Sequence, residues 1–275
     1  MSALNNEINA VVSMNRIDKK FYELKQKGLK AMIPFITAGD PSLDVTVELV
    51  FKMEEGGADI IEIGIPYSDP LADGPIIQAS STRALKNGTK INNIMNAVKK
   101  IRQKSEIPLV YLVYYNSIFK YGIERFVNEA KESGIDGLII PDLPLEERKD
   151  IKEISEKYGI YLIPLVAPTS KERIKSICES GKGFVYCVST KGVTGIRNSI
   201  ETDIKEYMRT VSEYTNMPKA IGFGISGPDM AKRFAPYCDG IIVGSAIVKM
   251  INDSRSKEEI YDNVKKFVFS IKEAI

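Results

Sequence analysis

The chain has 275 residues, 44% of them hydrophobic, and a formal net charge of +2 with acids and bases interspersed. That length suits one α/β barrel or two small domains, and the balanced charge leaves no footprint for nucleic acid or a membrane surface. The absence of histidine removes Ser-His and Cys-His nucleophile pairs, imidazole metal ligands and imidazole acid–base catalysis in one step. No run of about 18 apolar residues and no signal-peptide pattern occurs, so a soluble chain is expected. The three cysteines (Cys178, Cys187 and Cys238) are scattered and read as buried free thiols of a cytoplasmic protein. With no paired CxxC, no metal site is expected, and proton chemistry falls to Asp, Glu, Tyr, Lys or Cys.

The first 30 residues lie ahead of any strand pattern. Ile17, Phe21 and Leu24 share one helix face there, which predicts a helix covering the floor of the domain that follows; Met14 is a second candidate start. From residue 31, short apolar runs alternate with amphipathic ones: "AMIPFITAG" with "LDVTVELVFKMEEGG", "ADIIEIGIP" with "INNIMNAVKKIRQK", "IPLVYLVYY" with "IERFVNEAKESG", "IDGLIIPD" with "LEERKDIKEISEKYG". The same alternation continues through "IYLIPLV" with "SKERIKSICESG", "GFVYCVS" with "IETDIKEYMRTVSEYT", "MPKAIGFGIS" with "GPDMAKRFAPY", and "CDGIIVGSAIV" with "SKEEIYDNVKKFVFSIKEA". Strands oily on both faces, each followed by an amphipathic helix, indicate a parallel sheet covered by helices. Eight such units predict a (β/α)8 TIM barrel, one domain over 1–275 with an extension over 1–30 and the barrel over 31–275. Glycines close the helices in "ESGIDG" and "EKYGI", as C-terminal stops should.

In such a barrel the chemistry sits at the carboxyl ends of the strands. The sixth strand runs into "STKGVTG", the seventh ends "GFGIS" and the eighth ends "VGSAIV". Glycines and small hydroxyl residues at three adjacent strand ends suit an anion, and Ser245 can open a helix whose N-terminus favours negative charge. In the second strand, parity puts Ile61, Ile63 and Ile65 on the helix side and Ile60, Glu62 and Gly64 inside the barrel. A carboxyl there is either satisfied by a lysine or backbone donors, or left poorly solvated with a raised pKa suited to moving protons. Two more carboxylates, Asp69 and Asp73, follow in the loop. Either is explained by turn formation or by pairing with Glu62, and pattern does not separate them.

Six segments together resemble the tryptophan synthase alpha chain family: "PFITAGDP" (34–41), "EIGIPYSDPLADGPIIQ" (62–78), "PDLPLEE" (141–147), "STKGVTG" (189–195), "GFGIS" (222–226) and "VGSAIV" (243–248). The resemblance implies retro-aldol cleavage of indole-3-glycerol phosphate to indole and glyceraldehyde 3-phosphate, a carbon–carbon lyase reaction without metal. Glu62 and Asp73 match the family's catalytic carboxylates, Glu62 transferring protons and Asp73 stabilising charge at the indole nitrogen. Gly195, Gly224, Gly244 and Ser245 match its phosphate site; Phe35, Leu112, Tyr114 and Tyr186 its indole pocket; and Thr194 its closing lid. Asp69 is then structural or subunit-facing. The family works as an α2β2 assembly with a beta chain that carries pyridoxal phosphate, so no cofactor is expected in this chain. "PYSDPLADG" and "YYNSIFKYG" match loops facing that partner. The chain departs from some relatives in having Thr190 and Lys191 after the lid serine. A Schiff-base aldolase using Lys191 is the competing enzyme reading, and an activator that merely docks on a beta chain is the non-enzymatic one.

Overall fold

The computed structural model describes residues 14–188, 197–222 and 224–275. Helix α1 (Arg16–Gln26) begins where the Asn15 side chain accepts from Ile17 N, at 2.9 Å. It leads to β1 (Ala31–Thr37), α2 (Leu43–Glu55) and β2 (Ile61–Gly64). Two helices follow, α3 (Pro75–Lys86) and α4 (Ile91–Arg102), then β3 (Leu109–Leu112), α5 (Tyr115–Tyr121), α6 (Ile123–Ser133) and β4 (Gly137–Ile139). Next come α7 (Lys149–Tyr158), β5 (Tyr161–Leu162), β6 (Leu165–Val166), α8 (Ile174–Glu179), β7 (Val185–Val188) and α9 (Arg197–Tyr214). The chain closes with β8 (Lys219–Gly222), α10 (Pro228–Phe234), β9 (Gly240–Val243), α11 (Ser245–Asp253) and α12 (Lys257–Ala274). The expected glycine stops hold at Gly134 and Gly159, which end α6 and α7 in the left-handed conformation that glycine adopts without steric cost.

Every strand pairing is parallel, in the order β5-β4-β3-β2-β1-β9-β8-β7-β6. Among the described residues nine strands stand where eight were expected, because the run "IYLIPLV" is divided at Pro164. Proline has no N–H to give to a ladder, so the run changes partner there. Ile163 N still donates to Leu138 O on the β4 side (2.9 Å), while Pro164 O accepts from Tyr186 N on the β7 side (2.8 Å). The two halves together act as the fifth barrel strand, and the ring closes through them. β7, β8 and β9 are therefore the sixth, seventh and eighth strands of the sequence pattern.

The two faces of β2 separate as parity predicts. Ile61, Ile63 and Ile65 join the layer between sheet and helices. Ile60 joins an inner cluster with Ile33, Val110, Ile139, Phe184 and Ile242, sealed from below by Ile17, Phe21 and Leu24 of α1. Phe21 meets Phe184 with ring centroids 5.6 Å apart. At about 1.5–3 kcal/mol per buried side chain, this plug is a substantial share of marginal stability.

Polar groups at the floor are clamped by three aspartates that stand just before strands. Asp59 Oδ2 accepts from Met32 N (2.9 Å) and from Lys272 Nζ (2.7 Å). Asp239 Oδ2 accepts from Lys219 N (2.9 Å). Asp136 Oδ2 accepts from Leu109 N and from Arg102 Nη2, and its Oδ1 from Arg16 Nη1, each at 2.9 Å. Because Arg102 is itself nearly buried, removing its anion leaves an uncompensated charge. Asp136→Ala should cost about 3–5 kcal/mol, read as a lower urea midpoint with little change in slope.

Candidate active site

β1 and β2 run in register with Phe35 beside Glu62, and β3 places Val110 on the other side of Glu62. All three belong to the inward face. Glu62 is 1% exposed, and among the described residues neither carboxyl oxygen has a hydrogen-bond partner. Neither of the expected ways of satisfying it, a lysine or backbone donors, is found among those residues. Burial, and secondarily the charge of Asp73, push its pKa up to about 8. A carboxyl so placed holds its proton at neutrality because the anion would lie in a poorly solvated site.

Directly above, Gly64 lacks a side chain for a definite reason. A Cβ there would come within 2.6 Å of the Phe35 ring. The room at Gly64 is thus filled by the ring, which with Leu112, Ile77 and Val248 forms a small apolar cluster over the carboxyl. Gly222 performs the same service opposite, where a Cβ would meet the Tyr186 ring at 2.7 Å. These two close approaches shape the chamber.

A cavity of about 760 Å³ opens above Glu62 at the carboxyl ends of the strands. Phe35, Leu112 and Tyr186 line it, together with Asp73, Gly224, Gly244 and Ser245. Tyr114 stands outside that lining, its hydroxyl turned to the loop, where it accepts from Ala72 N at 3.0 Å next to Asp73. Tyr114 stacks on Tyr67 at 5.0 Å, and Asn116 Nδ2 donates to the Tyr67 hydroxyl at 2.9 Å. It stands behind the aspartate as a support. Asp73 is half-buried; burial raises its pKa to about 6, and the Tyr114 hydroxyl works against the rise. Asp69, by contrast, is exposed and away from the cavity lining.

The loop that carries Asp73 is held at both ends. Asp73 N donates to Pro70 O (3.0 Å), and Gln78 Nε2 donates to Asp73 O (2.8 Å). α3, which follows, is fastened to the end of β1 by a Thr37–Ser80 hydroxyl bond of 2.6 Å. A two-point Arg83–Asp40 ion pair at 2.9 and 2.7 Å adds to it. Such forked pairs fix geometry as well as charge. This is the use of Asp40 in "PFITAGDP".

On the far wall, α11 begins at Ser245 with Gly244 as its cap, as expected, so backbone N–H groups face the cavity end. Gly224 has φ +64, a left-handed turn that admits glycine readily. Gly195 and Thr194, and with them Thr190 and Lys191, lie outside the described residues. The lining also includes Ile77, Ser226 and Lys249, which sequence reasoning missed. Ile77 had a signal in its place within "DGPIIQ", with Pro75 at the first helical turn.

The fold and the position of this cavity define a (β/α)8-barrel enzyme. The family model of the tryptophan synthase alpha chain matches residues 21–275. The tryptophan synthase alpha chain of Thermoanaerobacter sp. (strain X514) is 69% identical over 262 residues, covering 95% of this chain and all of that one. That of Clostridium kluyveri is 65% identical over the same shares. Among solved structures, the tryptophan synthase alpha subunit of Legionella pneumophila superposes with a TM-score of 0.88 at 34% identity, covering 96% of this chain and 99% of its own. A chain from a study of mutual activation in the tryptophan synthase α2β2 complex of Pyrococcus furiosus gives 0.82 at 38% identity, covering 88% of this chain and 98% of its own. The chain belongs to the tryptophan synthase alpha chain family.

Glu62 has a consequence for stability. Its ordinary pKa is about 4.5 and its folded value about 8, so between those limits the unfolded chain releases a proton that the folded chain keeps. Stability from this group is present below pH 4.5 and falls as pH rises toward 8. Glu62→Gln should therefore gain on the wild type by roughly 2–4 kcal/mol between pH 5 and pH 9, measured by urea unfolding across that range.

Proposed function

We propose that Glu62 and Asp73 divide the proton work of the alpha reaction of tryptophan synthase. That reaction is the lyase cleavage of indole-3-glycerol phosphate to indole and glyceraldehyde 3-phosphate. The observation that carries the assignment is the buried carboxyl of Glu62, without a partner among the described residues, facing a cavity that Asp73 also lines.

The steps follow from the pKa values. Near neutrality Glu62 enters protonated and Asp73 enters as the anion. Glu62 gives its proton to indole C3, and the positive charge that develops at the ring nitrogen is met by the Asp73 carboxylate. The Glu62 anion, unstable where it is buried, then takes the proton of the carbinol hydroxyl next to the ring. The C–C bond breaks, its electron pair returns to the ring and restores the aromatic indole, and the carbinol becomes the aldehyde. Glu62 ends protonated again. Phe35, Leu112, Ile77 and Tyr186 supply an apolar slot for the ring. Gly224, Gly244 and Ser245, with Gly195 as the fourth member of the set, receive the phosphate, and Thr194 belongs to the lid. No metal and no cofactor of this chain's own enters these steps, and the work is cytoplasmic.

The partner in this reading is a tryptophan synthase beta chain, which carries the pyridoxal phosphate, in an α2β2 assembly. Leu71 is 85% exposed and Phe119 65%, one in each of the two segments expected to face it. Large apolar side chains presented this openly suit a surface that another chain covers. No helix among the described residues is long and apolar enough to cross a membrane.

Indole release from indole-3-glycerol phosphate, with and without a beta chain, tests the reading. Glu62→Gln and Asp73→Asn should each lower kcat by about 10²–10⁴-fold, and wild-type rates in both variants would refute the assignment. The wild-type pH profile should be bell-shaped, the acid limb near 6 from Asp73 and the alkaline limb near 8 from Glu62. Asp73→Asn should remove the acid limb.

A further inference from the structure

The phosphorylated end of the substrate is a dianion, yet the Asp, Glu, Lys and Arg side chains described around the cavity are mostly acidic. Besides the protonated Glu62, the carboxylates of Asp73, Asp253 and Glu259 line it, and among the described lining residues Lys249 is the one cation. A dianion entering such a chamber is opposed by the carboxylates unless a cation answers them.

Lys249 is placed to do so. It lies four residues after Ser245 on α11, so the two share one helix face, and both line the cavity. Four residues span about 6 Å of helix axis, within the length of a lysine side chain. Side chains on a helix lean toward its N-terminus, which here is the end where Gly244 and Ser245 offer their N–H groups. In this structure the ammonium is instead turned the other way, to Asp253 at 2.5 Å, one turn further along the same face. Both members of that pair are more than half exposed, and an exposed ion pair of this spacing is weak. It is readily exchanged for a dianion.

Resting on the proposed phosphate position, we infer that Lys249 is a substrate-binding residue. It leaves Asp253 and moves its ammonium onto the phosphate when substrate enters, while Asp253 competes for it. The contact is uniform through the reaction, because the phosphate is remote from the bond that breaks. It therefore acts on KM and leaves kcat nearly alone.

The test pairs steady-state kinetics with direct titration of inorganic phosphate into the full chain. Lys249→Met should raise KM and the phosphate Kd about three- to tenfold, with kcat within about twofold, and should flatten the dependence of KM on ionic strength. Lys249→Arg should restore most of the affinity. Asp253→Asn should move both constants the opposite way, by about two- to threefold. Lys266→Met, on α12 outside the cavity lining, is the control and should change neither. Wild-type constants in Lys249→Met, or in Asp253→Asn should the first variant not fold, would overturn the inference. If the wild type made no indole at all, the functional reading would fall, while the phosphate titration would still decide this one.

Discussion

Burying both oxygens of Glu62 without a donor among the described residues is the constraint around which the barrel is arranged. A carboxyl in that position is tolerable only as the neutral acid, and the neighbourhood keeps it so. Below it, α1 plugs the floor with Ile17, Phe21 and Leu24, shutting out water from that end. Beside it, Phe35 occupies the space that Gly64 gives up. At the floor, Asp59, Asp136 and Asp239 each accept a backbone N–H of a neighbouring strand. The carboxylates that brace the sheet and the carboxyl that faces the cavity therefore lie at different levels of one barrel, with different neighbours.

The upper end is organised by two helices that interrupt the simple alternation. α3 brings Arg83 to Asp40 and Ser80 to Thr37, which fixes the exit of the Asp73 loop. α5 follows directly on Tyr114, whose hydroxyl bonds that same loop and whose ring stacks on Tyr67. Exposed Leu71 and Phe119 lie on these two segments. What a partner chain would cover is thus only a few bonds from the aspartate, through contacts between side chains rather than along the chain.

Most of the barrel was legible because its signals are physical and local. The parity of "DIIEIGI" placed Glu62 inside, and the face shared by Ile17, Phe21 and Leu24 placed the floor helix. The division at Pro164 escaped pattern reading because "IYLIPLV" has the composition of one strand, and only the change of hydrogen-bond partner reveals two halves. α3 and α5 are not predicted, because "PIIQASSTRALK" and "YYNSIFKY" carry weak apolar periodicity, although Pro75 marks a helix start. Composition and spacing left Asp69 and Asp73 alike; the resemblance separated them, and burial does so in the structure, one exposed and the other half-buried in the cavity wall. The position of Tyr114 was open for a related reason. An aromatic residue at a strand end fits a pocket wall or a support behind it, and the direction of its hydroxyl is decided by Ala72, a residue in another loop.

The tyrosines around the chamber have an optical consequence. The chain contains no tryptophan, so an indole ring entering the cavity is the sole indole in the protein. Tyr186 lines the cavity, and the stacked Tyr67 and Tyr114 stand behind Asp73. Tyrosine emission overlaps indole absorption, and a ring seated against Tyr186 would accept its excitation. Light absorbed by the protein would then reappear as indole fluorescence, and occupancy of the chamber becomes visible without any attached dye.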